Sequence, residues 1–437
     1  MAEGYISALT LISLTTVSLY TLTTFYSYLS RPSAPSPPPI LSGELHTTKI
    51  AMPEDNLEEA RERRAVFYVP EDVQKEKEKE KGEKPALLIY LHGSTENGEQ
   101  SRSSTTRYEY DVQATILSKR SGKRGWIVAY PDGYKGYWND LRRSNLPPQK
   151  DDVHDSLFLF RLIQHAIETY NVSPSHIFLT GFSNGGQMCL RLVQELGAVP
   201  HSASHPSSNK DDANPRIRAI ALHSTTLPHH SNLRSPEPIA EDPEPKLCPI
   251  IMCNGTADPV TPYRGGETAF IGTFRSIGLL FGRRGRMRGV MDSAEEFALG
   301  WRRELKRLSS IGAQGEGHES AKLRRRERSC DIVQQKHRNQ VYITEWYEEY
   351  LEEDELELGA GDRRSRSRSV ISVDWERAEL ERRKEGKSLV KCIVVKGDGH
   401  NVALSSGGRR LPLVMGPQLQ ALNAPKAVME FFDQFLD

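Results

Sequence analysis

Short, continuously apolar runs recur along this chain between residues 64 and 396, separated by helix-like stretches or polar loops. Residues 64–70 form a β-rich run closed by Pro70. Runs at 85–91, 126–130, 177–180, 217–222, 249–253 and 389–396 show little alternation of polar and apolar positions, the pattern of strands buried on both faces of a parallel sheet. Between them, Asp151 or Asp152 can cap a helix carrying Val153, Leu157, Phe160, Ile163 and Ile167 at spacings of three and four. Further helices are predicted over 184–196 and 424–436. Strands alternating with helices imply an α/β fold with a doubly wound, mostly parallel sheet that binds its ligand at the carboxyl ends of the strands.

Other stretches do not fit that scaffold. Residues 74–84 are almost entirely Lys and Glu, as in a solvated loop or hairpin, and 197–215 and 228–246 are polar and proline-containing. Within insertions at about 264–339 and 350–388, residues 283–328 are basic, and after a β-like run at 340–344 the chain turns acidic over 345–357 and basic again in the Arg/Ser run 363–368. Both are expected as charged surface insertions. They account for a hydrophobic content of only 37%. The 58 basic and 58 acidic residues cancel, and the basic runs lack interleaved aromatics, so no nucleic-acid partner is expected. Cys189, Cys248, Cys253, Cys330 and Cys392 have no metal-ligand spacing and read first as buried thiols, with one or two disulfides the alternative and an odd count that leaves at least one cysteine unpaired within the chain; no metal or other cofactor is called for.

Residues 5–29 are uncharged, and Ser30 to Ile40 is proline-rich. The first of these is long enough to span a bilayer, although its many hydroxyls weaken the hydropathy. It is read as a signal anchor, a cleaved signal peptide or a buried or interfacial helix, and the next stretch as an extended spacer. Residues 1–42 thus form an N-terminal segment and 43–437 the catalytic domain. The expected location is the secretory pathway, membrane-anchored or extracellular, with membrane association through residues 5–29.

The chemistry starts at Gly181-Phe182-Ser183-Asn184-Gly185-Gly186, which follows a strand-like run and opens a helix. Strand, Gly-x-Ser-x-Gly, helix places a serine on a strained elbow with its hydroxyl pushed out. Such a serine needs a histidine base and an acid to orient it, in the chain order Ser, Asp or Glu, His. The run 249–253 leads into a loop carrying Asp258, and 389–396 into Gly397-Asp398-Gly399-His400. Ser183, Asp258 and His400 therefore all fall just past the ends of strands. Asp398 competes with Asp258 as the orienting acid but reads better as an acceptor for loop amides. The oxyanion donors are assigned to the amides of Asn184 and of Ser94, which follows Leu91-His92-Gly93.

These segments, with Tyr130-Pro131-Asp132-Gly133, Trp138-Asn139, Asp151-Asp152-Val153 and the run 255–266, resemble the polyhydroxybutyrate depolymerase and feruloyl esterase group of α/β-hydrolases, related to carbohydrate esterases. The resemblance covers about 64–263 and 390 to the end. It implies an α/β-hydrolase fold, the same triad, and a cleft lined near Trp138. Members usually carry a cysteine after His-Gly and a Trp-Pro pair after the catalytic histidine. Ser94 and Asn401-Val402 stand there instead, which puts the usual aromatic wall of the acyl pocket in doubt.

The expected activity is that of a serine esterase acting on feruloyl or other aryl esters, or on carbohydrate-linked esters, of small molecules or polymers. Trp138, Tyr134 and Tyr137 are the candidate substrate-binding rings. A polyhydroxyalkanoate depolymerase-like polyesterase, a serine peptidase of the same fold, and a non-catalytic binding protein with a vestigial triad are the other readings.

Overall fold

The computed structural model describes residues 35–78, 83–120, 123–144, 146–199, 215–235, 238–239, 246–268, 285–312, 321–334, 337–350, 387–404 and 415–436. The hydrophobic segment 5–29 and the charged block 351–386 lie outside the described residues. Among those described, no helix is long and apolar enough to cross a membrane.

In chain order the strands are β1 (Gly43–Ala51), β2 (Glu62–Pro70), β3 (Ala86–Leu91), β4 (Trp126–Pro131), β5 (Ile177–Phe182), β6 (Ile217–His223), β7 (Ile250–Gly255), the two-residue pair β8 (Gly266–Glu267) and β9 (Arg286–Met287), β10 (Ala321–Gln334), β11 (His337–Tyr350) and β12 (Ser388–Val395). The principal helices are α1 (Glu71–Glu78), α2 (Glu109–Ser118), α3 (Asp155–Tyr170), α4 (Asn184–Leu196), α5 (Val290–Gly312) and α6 (Ala424–Asp433).

Ten strands form one sheet in the order β1-β2-β4-β3-β5-β6-β7-β12-β11-β10. The six from β4 to β12 run parallel, and antiparallel pairs flank them at both edges. This is the α/β-hydrolase fold. All six residues of β3, β4, β5 and β7 are buried, because helices cover both faces of the central strands. Lys391 is the one charged residue of β12. The register sets it opposite Glu345 on β11, and the buried pair meets at 3.1 Å.

Three expectations need correction. Asp151 and Asp152 do not cap α3, which begins at Asp155 after His154; Asp152 sits in a turn at φ 50°. The buried face is accordingly Phe158, Leu159, Leu162, Ile163, Ala166 and Tyr170, leaving Leu157, Phe160 and Ile167 at its margins. The Lys/Glu stretch begins as helix α1, supported by Lys75 with Glu71 four residues apart. Finally, 264–339 is not only a surface insertion. Its helix α5 buries Val290, Ala294, Ala298, Trp301 and Leu305 in the main core, at spacings of four, four, three and four. The charges that made the segment look peripheral occupy its other face.

Trp301→Ala is expected to cost about 3–5 kcal/mol through the cavity left under α5, measured by urea unfolding. An unchanged midpoint would return the segment to a surface role.

Candidate active site

Ser183 joins β5 to α4 at φ 53°, ψ −111°, a backbone region that costs a non-glycine residue about 1–3 kcal/mol. Neighbours hold it there. Its amide donates to the His223 carbonyl at 2.9 Å, and the Thr225 hydroxyl donates to the Ser183 carbonyl at 3.0 Å. The flanking glycines are required sterically: a Cβ on Gly185 would lie 2.0 Å from the Leu91 carbonyl oxygen, and one on Gly181 2.4 Å from the Gly185 carbonyl carbon. The elbow can thus press directly against the end of β3.

His400 and Asp258 are both buried and meet at 2.8 Å, imidazole Nδ1 to carboxylate Oδ2. The other oxygen, Oδ1, accepts the amides of Val260 (2.8 Å) and Thr261 (2.7 Å), which fixes the carboxylate's orientation. With Nδ1 donating to Asp258, Nε2 is the nitrogen left for proton transfer. The His400 loop is tied to the elbow side of the sheet: the Asn401 amide donates to the Ser224 hydroxyl (3.1 Å), and the Phe182 ring stands 5.0 Å from the imidazole, centre to centre.

Asp398, the competing acid, faces elsewhere. Its Oδ1 accepts the Leu419 amide (2.8 Å) and the Asn401 side-chain amide (3.0 Å), and burial pushes its carboxyl up to about 6.

Around the serine, the Asn184 amide is the first of α4, without an i−4 partner in the helix. The Asn184 side chain accepts the Trp138 amide (2.8 Å) and donates to Asp140 (2.6 Å), which also pairs with Arg142. Ser94 is half-buried, between Gly93 and Thr95, whose φ is 66°. The loop bearing Ser94 is held by His92: the fully buried ring donates from Nδ1 to the Gly93 carbonyl (2.7 Å) and accepts the Gly133 amide at Nε2 (2.7 Å). Burial lowers its pKa, so it serves as a neutral brace rather than a base.

Two of the proposed substrate rings are misplaced by the sequence reading. Trp138 is wholly buried beneath this loop, its indole N–H on the His92 carbonyl at 3.0 Å. Tyr134 is buried in a small cluster with Ala60 and Val153. Neither ring can line a cleft, because the turn that follows Pro131 folds them inward. Tyr137 remains half-buried. Beneath the elbow, His223 is another residue the sequence did not single out; its Nε2 meets the Tyr110 hydroxyl at 2.7 Å, and burial pushes its pKa down to about 3. A strand-end histidine carries no local signal of that role.

Two openings adjoin the histidine–aspartate pair. A narrow recess of about 20 Å³ beside His400 is lined by Glu96, Thr105, Phe182, Val402, Met415 and Gln418, among others. It has room for one water-sized group. A wider groove of about 710 Å³ runs along the acid loop, past Tyr263, Arg264, Tyr342 and Lys396.

No protein-family model matches the chain. It is 27% identical over 108 residues to the acetylxylan esterase of Coprinopsis cinerea, a match covering 24% of this chain and 26% of that protein. It is 25% identical over 184 residues to NocK of Nocardia uniformis subsp. tsuyamanensis, a presumed esterase, covering 42% of this chain and 43% of that protein. The chain therefore matches less than half the length of either relative. Among solved structures, a ferulic acid esterase aligns over 50% of this chain and 81% of its own, at 15% identity and a TM-score of 0.32. The fold assignment rests on the strand order itself.

Trp138→Phe is expected to lower stability by about 1–3 kcal/mol, by loss of the buried indole hydrogen bond and some packing. A melting temperature equal to that of the wild type would contradict this placement. A second expectation concerns Asp398. Its folded carboxyl keeps its proton above the unfolded value of 3.8, so the folded state binds more protons between about pH 4 and 6 and stability falls as pH rises through that window. Asp398→Asn should shrink the fall. Asp111, also raised to about 6 by burial, contributes with the same sign and remains. Urea midpoints at pH 4 and pH 6.5 test it, and an unchanged pH dependence would contradict the assignment.

Proposed function

We propose that this chain is a serine carboxylic-ester hydrolase working through an acyl-enzyme on Ser183. The observation that carries the reading is the buried Asp258–His400 hydrogen bond, with the second Asp258 oxygen pinned by two amides, together with a strained serine elbow whose preceding residue, Phe182, packs its ring against that imidazole. In this reading Ser183 Oγ attacks the ester carbonyl carbon while its proton passes to His400 Nε2. The carbonyl oxygen becomes an oxyanion, bound by the amides of Asn184 and Ser94. As the tetrahedral intermediate collapses, the imidazolium, stabilised by Asp258, returns the proton to the departing alcohol. Water then attacks the acyl carbon while His400 takes one of its protons, and as the second tetrahedral intermediate breaks its bond to Ser183 Oγ, His400 returns that proton to the serine and the carboxylic acid leaves.

For the substrate, we favour aryl or carbohydrate-linked esters over hydroxyalkanoate polymers. The name of the acetylxylan esterase relative supports the carbohydrate-linked choice, and the tyrosines along the wider groove offer stacking faces to a ring. The burial of Trp138 and Tyr134 removes two of the three rings first considered for an aryl pocket.

Ser183→Ala is expected to abolish both p-nitrophenyl acetate hydrolysis and covalent labelling by a fluorophosphonate. Asp258→Asn should lower kcat by about 10^4-fold in a folded protein, and Asp398→Asn far less. Equal labelling of wild type and Ser183→Ala, or the reverse order of the two aspartate variants, would overturn the roles. Turnover of peptide amides with none of esters would favour a peptidase.

A further inference from the structure

The loop that carries Asp258 also carries a cation for which the proposed mechanism has no use. Arg264 stands at the corner of a turn over 262–265, closed by the Gly265 amide on the Pro262 carbonyl at 2.8 Å. The turn is fixed from two sides. The Val290 amide, at the start of α5, donates to the Tyr263 carbonyl at 2.9 Å. A Cβ on Gly265, whose φ is 77°, would lie only 2.7 Å from the Gly289 nitrogen. Towards the sheet, the Thr256 hydroxyl accepts the Gly397 amide at 2.8 Å, and the Ala257 amide donates to the Asp398 carbonyl at 2.8 Å. The acid loop and the end of β12 are thus tied together, and the wider groove of about 710 Å³ lies along them. Tyr263, packed partly against the core, and the exposed Tyr342 of β11 give it two ring faces. Of the charged residues in its wall, Asp258 is buried and turned on to His400, which leaves Arg264 and Lys396 as the exposed charges, both positive. Among the described residues Arg264 forms no ion pair.

We propose, building on the ester-hydrolase reading, that this groove holds a carboxylate on the alcohol side of the substrate: the ester is borne by a glycan that contains uronic acid, and Arg264 selects for it. Position along the sheet decides which part of the substrate reaches the groove. Its residues follow β7 and β12 or lie on β11, two to four places from β5, the strand that leads into Ser183. With neighbouring strands about 4.8 Å apart, the groove lies roughly 10–19 Å from the elbow. An acetyl group ends well short of that distance, and an aryl acyl group would bring only an uncharged ring. A glycan continues past its ester for several units and, where it contains uronic acid, carries a carboxylate with it. The chemistry of the wall fits such a ligand. A guanidinium presents a planar fork that takes a carboxylate through two parallel hydrogen bonds. The tyrosine faces offer apolar surface to the sugar ring between them. Because Arg264 is exposed, the selectivity it confers is moderate and depends on salt.

Acetylated xylo-oligosaccharides of equal length, with and without a glucuronic acid branch, form the test. Acetate release gives kcat/KM for each, and the readout is the branched-to-unbranched ratio within one protein, which an overall loss of activity does not disturb. At low salt the full-length wild type should prefer the branched substrate by about fivefold, the scale of an exposed charge-assisted pair. In 1 M NaCl, where the screening length is about 3 Å, the ratio should fall below about twofold. Arg264→Ala should bring the low-salt ratio below about twofold as well, and Arg264→Lys, which keeps the charge, should leave it above. A wild-type low-salt ratio below about twofold, or an Arg264→Ala ratio that stays above it, overturns the proposal. If Arg264→Ala does not fold, the wild-type ratio and its salt dependence still decide. A wild type that hydrolyses neither oligosaccharide nor p-nitrophenyl acetate fails the ester-hydrolase reading instead. Calorimetric titration with the unesterified oligosaccharides then tests the groove alone, and equal affinity for the branched and unbranched forms overturns it.

Discussion

The close approach of two backbones at the centre of the sheet organises this molecule. The first turn of α4 presses against the end of β3 so tightly that only glycine fits at 185, and Ser183 is thereby held at a positive φ. A conformation costing about 1–3 kcal/mol persists only when its surroundings over-determine it. Here they do so from several sides: the His223 carbonyl takes the serine amide, the Thr225 hydroxyl reaches the serine carbonyl, and α4 is buried along nearly its whole length. The strain is borne by the sheet core and delivered at one hydroxyl.

Around that point the molecule uses buried polar groups mainly as struts. His92, Trp138, Asn184 and Asp140 form a connected chain of hydrogen bonds linking the loop after β3, the turn after β4 and the start of α4. The three segments that would surround an oxyanion are thus fixed to one another rather than to solvent. Asp258 and Asp398 show the same principle with opposite results. Both are buried carboxylates near His400, but one has an oxygen on the imidazole and the other is spent on the Leu419 amide. Two residues of separation along the loop are enough to turn Asp398 away from the ring of His400.

Much of this was legible from residue order. Parallel strands announced themselves as unbroken apolar runs because both faces of such strands are covered, and Gly-x-Ser-x-Gly marks the elbow because no other residue tolerates the contact at 185. The positions of Asp258 and His400 followed from each lying just beyond a strand. Less legible were elements whose apolar face is diluted by charge. Helix α5 hides its core-facing stripe among arginines and glutamates, and α1 is so polar that it resembles a loop.

What the chain determined locally is the set of strands, the glycine-bounded elbow, and the order serine, aspartate, histidine; each depends on neighbours within a few residues. Tertiary structure decided the rest. Whether an aromatic after β4 faces a cleft or the core depends on where the turn folds back, and it buries Trp138 against a loop some 46 residues away along the chain. Lys391 is tolerable in a central strand only because the register of β11 brings Glu345 opposite it. Glu96 becomes a wall of the recess beside His400 only when the parallel sheet brings the carboxyl ends of β3 and β12 to the same end. Long-range closure of this kind depends on pairings between distant segments, which no local pattern of residues encodes.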